Sequence, residues 1–283
     1  MDLRTALRTH WPEYLIEGWA LGTFMVSAGI VATLLGVPTS PLHQAISEPI
    51  WRSAIGGLAM GVTAIALIHS PWGKRSGAHM NPAVTVTFLR LGRVHPWDAL
   101  FFIAAQFAGA SLGVLLVVAL IGHPFSDPPV NYAATMPGHW GPGAAFLAEF
   151  VISAVLMLIV LSVSSSSRFA RFTGLAAGCL VALYITLESP LSGMSMNPAR
   201  SFASAAPGMQ WRHLWIYFAA PLAGMLGGAQ LFLALTGATR IRCAKLVHPR
   251  EVRCIHCGYE PQVSATDTRP SPLDRGVPTH ERP

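Results

Sequence analysis

Charge is what this sequence has least of: 19 basic and 13 acidic side chains among 283 residues, 11%, where an ordinary soluble chain carries roughly a quarter. Hydrophobic residues make up 52%. So apolar a composition excludes a disordered chain, which would need low hydrophobicity and high charge. The net charge of +6 does not point to a nucleic-acid partner either, because the basic residues sit in short patches between long apolar runs instead of on one folded polar face. Also lacking is any nucleophile–base constellation or intramembrane metal cluster, which argues against a membrane enzyme. No retention or transit signal is recognisable, so the expected location is the cell membrane.

What is present is apolar length. A helix needs roughly 20 mostly apolar residues to cross about 30 Å of hydrocarbon. Six runs qualify or nearly so: residues 14–37, 53–69, 97–121, 143–162, 172–187 and 213–236. The first is too long for the apolar core of a signal peptide and contains Glu17 and Trp19, so it is expected to stay in the mature chain. One set of connections holds Arg4, Arg8, Lys74, Arg75, Arg90, Arg93, Arg168, Arg171, Arg240, Arg242 and Lys245, and the other only Arg52, Arg200 and Arg212. With an even number of spans, that asymmetry places both termini in the cytoplasm.

An internal repeat is the most informative feature. Gly77-Ala78-His79-Met80-Asn81-Pro82-Ala83 answers to Gly193-Met194-Ser195-Met196-Asn197-Pro198-Ala199. Glu17 in the first run matches Glu149 in the fourth, and Ala108-Gly109 matches Ala223-Gly224. Three spans per half is an odd number, so the second half must lie inverted relative to the first, and the two Asn-Pro-Ala segments approach from opposite faces. Asn is a good N-cap and Pro is favoured at the first helical position, so half-helices are expected over 81–91 and 197–206. The fold class is therefore an all-α membrane protein, six transmembrane helices plus two re-entrant half-helices. Its expected halves are 1–122 and 123–240, followed by a cytoplasmic tail over 241–283 that is largely disordered beyond Gln262.

Two helix N-termini pointed at each other near the midplane, each worth roughly +0.5 charge, oppose a proton or cation. The Asn amides leave N–H donors there, and the backbone of residues 76–80 and 192–196 leaves a ladder of carbonyl acceptors. Non-helical backbone at that depth is tolerable only where it lines a wet cavity or is buried in protein. Such a path suits small neutral hydrogen-bonding molecules. Glu17 and Glu149 are expected to accept hydrogen bonds from the re-entrant loops, with Gln106 as a candidate member of that network. A secondary transporter is the rival class, but apart from these two carboxylates no coupling-ion ligand is found.

The doubled Asn-Pro-Ala signature, the two matching glutamates and Arg200 directly after the second signature resemble the major intrinsic protein family, the aquaporins and glycerol facilitators. The resemblance covers about residues 13–237. It implies a right-handed bundle of six tilted helices plus two half-helices, one pore per subunit, a homotetramer, no cofactor, and water with small neutral solutes as the permeants. Asn81 and Asn197 resemble the central pair. Arg200, with Met60, Ile185 and Met194, falls on the outer constriction, and the backbone of Gly77, Ala78, His79, Gly193 and Ser195 on the pore wall. The water-channel pattern has a bulky aromatic and a His where this chain has Met60 and Ile185, which makes the constriction more apolar. The glycerol-facilitator pattern has an Asp where this chain has Ser201, while Ala205 and Tyr217-Phe218 ahead of Pro221 resemble the water-channel side.

The tail carries something the family does not explain. Cys254-Ile255-His256-Cys257 has the spacing that lets two thiolates hold one zinc, with Cys243 and either His248 or His256 as the remaining ligands. Free thiols and a redox switch are the alternatives. Cys179, within the fifth run, is expected to serve packing only.

Overall fold

The computed structural model describes residues 1–237 and 241–261, so the disorder expected beyond Gln262 and the place of Arg240 lie outside the described residues. Eight helices organise the rest: α1 Leu3–Gly36, α2 Pro49–His69, α3 Pro82–Arg90, α4 Pro96–Ile121, α5 Gly141–Ser164, α6 Thr173–Leu187, α7 Pro198–Ala205 and α8 Ile216–Thr236. Helices α1, α2, α4, α5, α8 and the stretch Ala170–Leu187 that includes α6 are long and apolar enough to cross a membrane. No strand occurs among the described residues. The starts follow local chemistry. Proline stands at the first helical position of α2, α3, α4 and α7, where its missing N–H has no intrahelical acceptor to lose.

The first helix begins well before the apolar run predicts. Asp2 caps it by accepting from the Thr5 amide at 2.7 Å. Its polar first turns are held by His10 and Tyr14, whose side chains reach the same Asp98 oxygen at 2.8 and 2.6 Å. Hydropathy registers only the part of a helix that needs lipid, and this end is stabilised by hydrogen bonds instead.

The packing repeats between the halves. Helix α1 lies along α4, α5 lies along α8, and the middle helices α2 and α6 lie against each other. Small residues make those approaches possible. A Cβ on Gly109 would fall 1.9 Å from the Gly18 carbonyl oxygen, and one on its repeat equivalent Gly224 would fall 2.3 Å from that of Phe150. Large apolar side chains face outward, as Leu58, Leu112, Leu120, Leu147 and Leu235 are all more than 60% exposed. In a bilayer these contact lipid tails, so the bundle is held by backbone proximity and interior polar bonding, not by hiding apolar surface from water. Half-helices α3 and α7 span roughly 13 and 12 Å at 1.5 Å per residue, each less than half of the hydrocarbon core.

Gly109→Val should therefore destabilise the detergent-solubilised protein by about 3 kcal/mol or more, through overpacking of α1 against α4. Gly227→Ala, whose new Cβ would meet only Phe150 Cζ at 3.6 Å, should stay within about 1 kcal/mol of the parent. Equal thermal melting points for the two variants would contradict this account of the helix contacts.

Candidate functional site: two re-entrant loops and the cavity between them

Each loop begins as a short helical turn, Pro71–Ser76 in one half and Ser189–Ser192 in the other, so the non-helical stretch is 77–80 and 193–196 and starts one residue later than expected. Gly77 and Gly193 break the turn with φ of 113° and 78°. Ala78 and Met80, like Met194 and Met196, then take φ between 46° and 56°. Left-handed conformations at non-glycine residues cost on the order of 1 kcal/mol each or more and persist only where the surroundings impose them.

The two glutamates impose them. Glu17 Oε1 accepts from the His79 amide at 3.0 Å and the Ser76 hydroxyl at 2.8 Å, while Oε2 accepts from the Met80 amide at 2.6 Å and Gln106 Nε2 at 2.9 Å. Glu149 repeats the pattern: Oε1 takes the Ser195 amide and Ser192 hydroxyl, Oε2 the Met196 amide, all at 2.7 Å. Ser76 and Ser192 each accept in turn from the amide two residues on, Ala78 at 3.1 Å and Met194 at 3.0 Å. Both carboxylates are fully buried. Gln106 joins the first network, and Tyr217 closes the second by donating to the Ser192 carbonyl at 2.5 Å.

The serines and Tyr217 were not singled out from sequence as loop supports. The signal existed for the serines, since Ser76-Gly77 and Ser192-Gly193 extend the repeat by one residue. Ser201 also gains a role: it is fully buried, 2.7 Å from Thr135 Oγ1 and 2.5 Å from Ser195 Oγ, bracing the second loop.

The loops deliver their asparagines to one point. Asn81 Oδ1 accepts from the Ala83 amide at 2.8 Å, and Asn197 Oδ1 from Ala199 and Arg200 at 3.1 and 3.2 Å, so each side chain caps its half-helix as expected. The amide nitrogens differ from expectation. Asn81 Nδ2 donates to the Met196 carbonyl and Asn197 Nδ2 to the Met80 carbonyl, both at 2.7 Å. One N–H of each amide thus ties its loop to the other, leaving a single N–H per asparagine for anything that passes.

Around this junction lies a cavity of about 270 Å³. It is lined by both asparagines, by Ala78, His79, Gly193 and Ser195 of the loops, and by Met60, Ile185, Met194 and Arg200 together. Gly77 is not on its wall. Its carbonyl accepts from the Leu246 amide at 3.2 Å, and the tail covers it. The remaining wall is mainly aliphatic, with Val31, Leu156 and Val181 among its members. Arg200 Nη1 is buried with no partner among the described residues. Glu17 and Glu149 stand behind the loops and do not reach the cavity.

The tail folds back on this assembly. His79 Nε2 donates to the Ala244 carbonyl at 2.9 Å, and His256 Nε2 to the Ser76 carbonyl at 3.0 Å. The two imidazoles stack with centroids 5.7 Å apart. Burial, with His79 adding to it, pushes His256 down to about 4, so it is neutral at physiological pH. Leu246 lines the cavity with the pore residues. The donor atoms of Cys243, His248, Cys254 and Cys257 all lie within 4.8 Å of one another, which selects His248 over His256 as the histidine of the cluster. Cys243 and Cys254 approach to 3.3 Å between sulfurs, a contact that holds Cys254 below the ordinary thiol range and raises Cys243 above it. Cys179 is an exposed free thiol.

Six apolar spans surrounding two capped half-helices that meet head to head define an α-helical membrane protein with a cavity inside its own chain. Residues 9–232 match the family described as major intrinsic protein, and the chain belongs to that family. It is 33% identical over 217 residues to aquaporin NIP3-1 of Zea mays, covering 76% of this chain and 68% of that protein. It is 38% identical over 184 residues to aquaporin NIP2-2 of Zea mays, covering 64% of this chain and 58% of that protein, less than two thirds of its length. In fold it matches the X-ray structure of the aquaglyceroporin from Plasmodium falciparum with a TM-score of 0.64 at 22% identity, over 79% of this chain and 96% of that one.

Glu149→Gln should destabilise the protein by about 2–4 kcal/mol, because the amide places a donor against an N–H or O–H that Glu149 now accepts. Thermal unfolding in detergent checks it, and a melting point equal to the parent's would show that the loop does not depend on the carboxylate.

Proposed function

We propose that this chain is a passive transmembrane channel for water, and more slowly for glycerol and similarly small neutral solutes, that excludes ions and protons. The observation that carries the reading is the distribution of polar groups on the cavity: an otherwise aliphatic wall with one free N–H on each of Asn81 and Asn197 and an unpartnered nitrogen on Arg200. A neutral molecule with both donors and acceptors can exchange partners along such a wall. A cation meets the N-termini of α3 and α7 and the guanidinium, with no carboxylate on the cavity wall among the described residues. Glu17 and Glu149, the carboxylates repeated in the two halves, have their oxygens engaged by the loops, so neither is free to hold a coupling ion, which speaks against the ion-coupled transporter.

In this reading Asn81 and Asn197 are the pore centre, and Met60, Ile185, Met194 and Arg200 are the selectivity filter. Ala78, His79, Gly193 and Ser195 supply pore-lining backbone, and Glu17 and Glu149 support the loops. Met60 and Ile185 are flexible or aliphatic and offer no hydrogen-bond donor, so at these two positions discrimination against a carbon-bearing solute rests on width. The names of the relatives, aquaporin on one side and aquaglyceroporin on the other, fit that mixed character. The protein is read as a cell-membrane homotetramer with cytoplasmic termini and no nucleic-acid partner. Conduction needs no cofactor.

Stopped-flow light scattering on proteoliposomes should give osmotic shrinkage faster than in empty vesicles, with a low activation energy and no proton leak. Shrinkage equal to that of empty vesicles refutes the channel. Ile185→His should suppress glycerol entry while sparing water, since it adds a donor and narrows the filter. Unchanged glycerol entry would remove Ile185 from the constriction.

A further inference from the structure

The tail raises a question that permeation does not answer: why residues 241–261 fold onto the pore, with four metal-ligand side chains converging beside it. We propose that Cys243, His248, Cys254 and Cys257 bind one Zn²⁺ ion, and that the loaded site, with His256 docked on Ser76, holds Leu246 at the tail-side mouth of the pore, restricting it. The second half of this proposal rests on the channel reading.

The ligand set is a closed Cys₃His, the composition of structural zinc sites, where Zn–S near 2.3 Å and Zn–N near 2.0–2.1 Å put neighbouring donors roughly 3.5–3.8 Å apart. The Cys243–Cys254 sulfurs at 3.3 Å, the His248 Nε2–Cys257 Sγ pair at 3.2 Å and the 4.8 Å limit on every other pair bracket that spacing. The backbone around the ligands is tightly turned. Gly258, with φ of 71°, directs its amide to the Cys254 carbonyl at 3.0 Å, and the Cys254 amide reaches the Tyr259 carbonyl at 2.8 Å, closing a tight turn about the pair. The Lys245 amide points at Cys243 Sγ at 3.5 Å, a donor toward a ligating sulfur.

The order of residues then links the site to the pore. Ala244 and Leu246, which touch the first re-entrant loop, lie between ligands Cys243 and His248, and His256, which touches Ser76, lies between ligands Cys254 and Cys257. Among the described residues, every tail hydrogen bond to that loop comes from inside a ligand-bounded segment. A metal that joins the four ligands fixes both segments at once, and with them the side chain of Leu246 on the cavity wall. Arg253, between the two segments, anchors the same unit to α1 through the Thr9 carbonyl at 2.8 Å and Glu13 Oε1 at 3.6 Å.

The test has two independent readouts on the full chain, purified under reducing conditions. Elemental analysis should give one zinc per chain after incubation with zinc, and a Cys254→Ser/Cys257→Ser variant should lose it. No stoichiometric zinc in the parent, or zinc retained by the variant, overturns the metal site. Osmotic shrinkage of proteoliposomes should rise severalfold when zinc is stripped from the parent by a membrane-permeant chelator, which requires no substitution, and should fall again when zinc is restored. Leu246→Gly should keep its zinc and conduct rapidly with or without chelator. Zinc bound at one per chain with equal water permeability in both states overturns the clamp and leaves the channel standing. Vesicles no faster than empty ones in every state, Leu246→Gly included, overturn the channel reading and the clamp with it, while the zinc measurement is decided by itself.

Discussion

The acceptance of backbone N–H groups by a buried carboxylate is the interaction on which the architecture turns. An ionisable side chain inside a membrane bundle is costly unless its charge is met by donors, and a non-helical loop at the same depth is costly because its amides have no water to bond. Glu17 and Glu149 cancel one cost against the other: each takes two loop amides and a serine hydroxyl on its two oxygens. The left-handed residues that follow Gly77 and Gly193 are a consequence, because only that alternation turns successive amides toward one carboxylate. From there the positions of Asn81 and Asn197, their crossed bonds to Met196 and Met80, and the shape of the cavity all follow.

The crossed asparagine bonds also join the two halves chemically. Each Asn side chain caps its own helix with oxygen and holds the opposite loop with nitrogen, so the half-helices cannot separate without losing two hydrogen bonds, one buried and one part-buried. The field at the junction comes from α3 and α7 pointing their N-termini at each other, reinforced on one side by Arg200. Formal charge is scarce in this chain because almost none is needed: peptide dipoles and one guanidinium supply the potential.

The spans, the half-helices and the loop residues of the cavity wall were legible in the sequence because each rests on a local rule: apolar length, an Asn-Pro helix start, or a motif repeated in both halves; Met60 and Ile185 were placed by the family resemblance instead. What escaped depends on contacts between distant segments. The polar start of α1 carries no hydropathy signal, since it is fixed by Asp98 in a helix far along the chain. The choice between His248 and His256 could not be made from spacing, because both sit within reach of the cysteines in sequence and only the fold sends one ring to the cluster and the other to Ser76. Gly77 is symmetric with Gly193 in the repeat, yet the tail covers it and takes its carbonyl, so the repeat predicted a pore-wall position that a segment outside the repeat occupies.

Both re-entrant loops need their outer carbonyl ends satisfied, and the two ends of the molecule solve this differently. At the Gly193 end, residues 135–138 pass across the glycine, with the Gly138 amide bonded to the Leu191 carbonyl at 2.9 Å. That connection is strung between α4 and α5, so two embedded helices limit its freedom before it makes any contact. At the Gly77 end the cover is residues 241–261, which follow α8 and precede no further span among the described residues. A cover held through one embedded helix loses more conformational entropy on docking than one held through two, by an amount that grows with the length left free. The contacts on the page, a few hydrogen bonds and the burial of Ile241, Ala244 and Leu246, work against that loss. A cross-link between Cys243, His248, Cys254 and Cys257 closes the segment on itself and removes much of the freedom that docking would otherwise cost, which gives a physical reason for a ligand cluster at this end of the pore and not at the other.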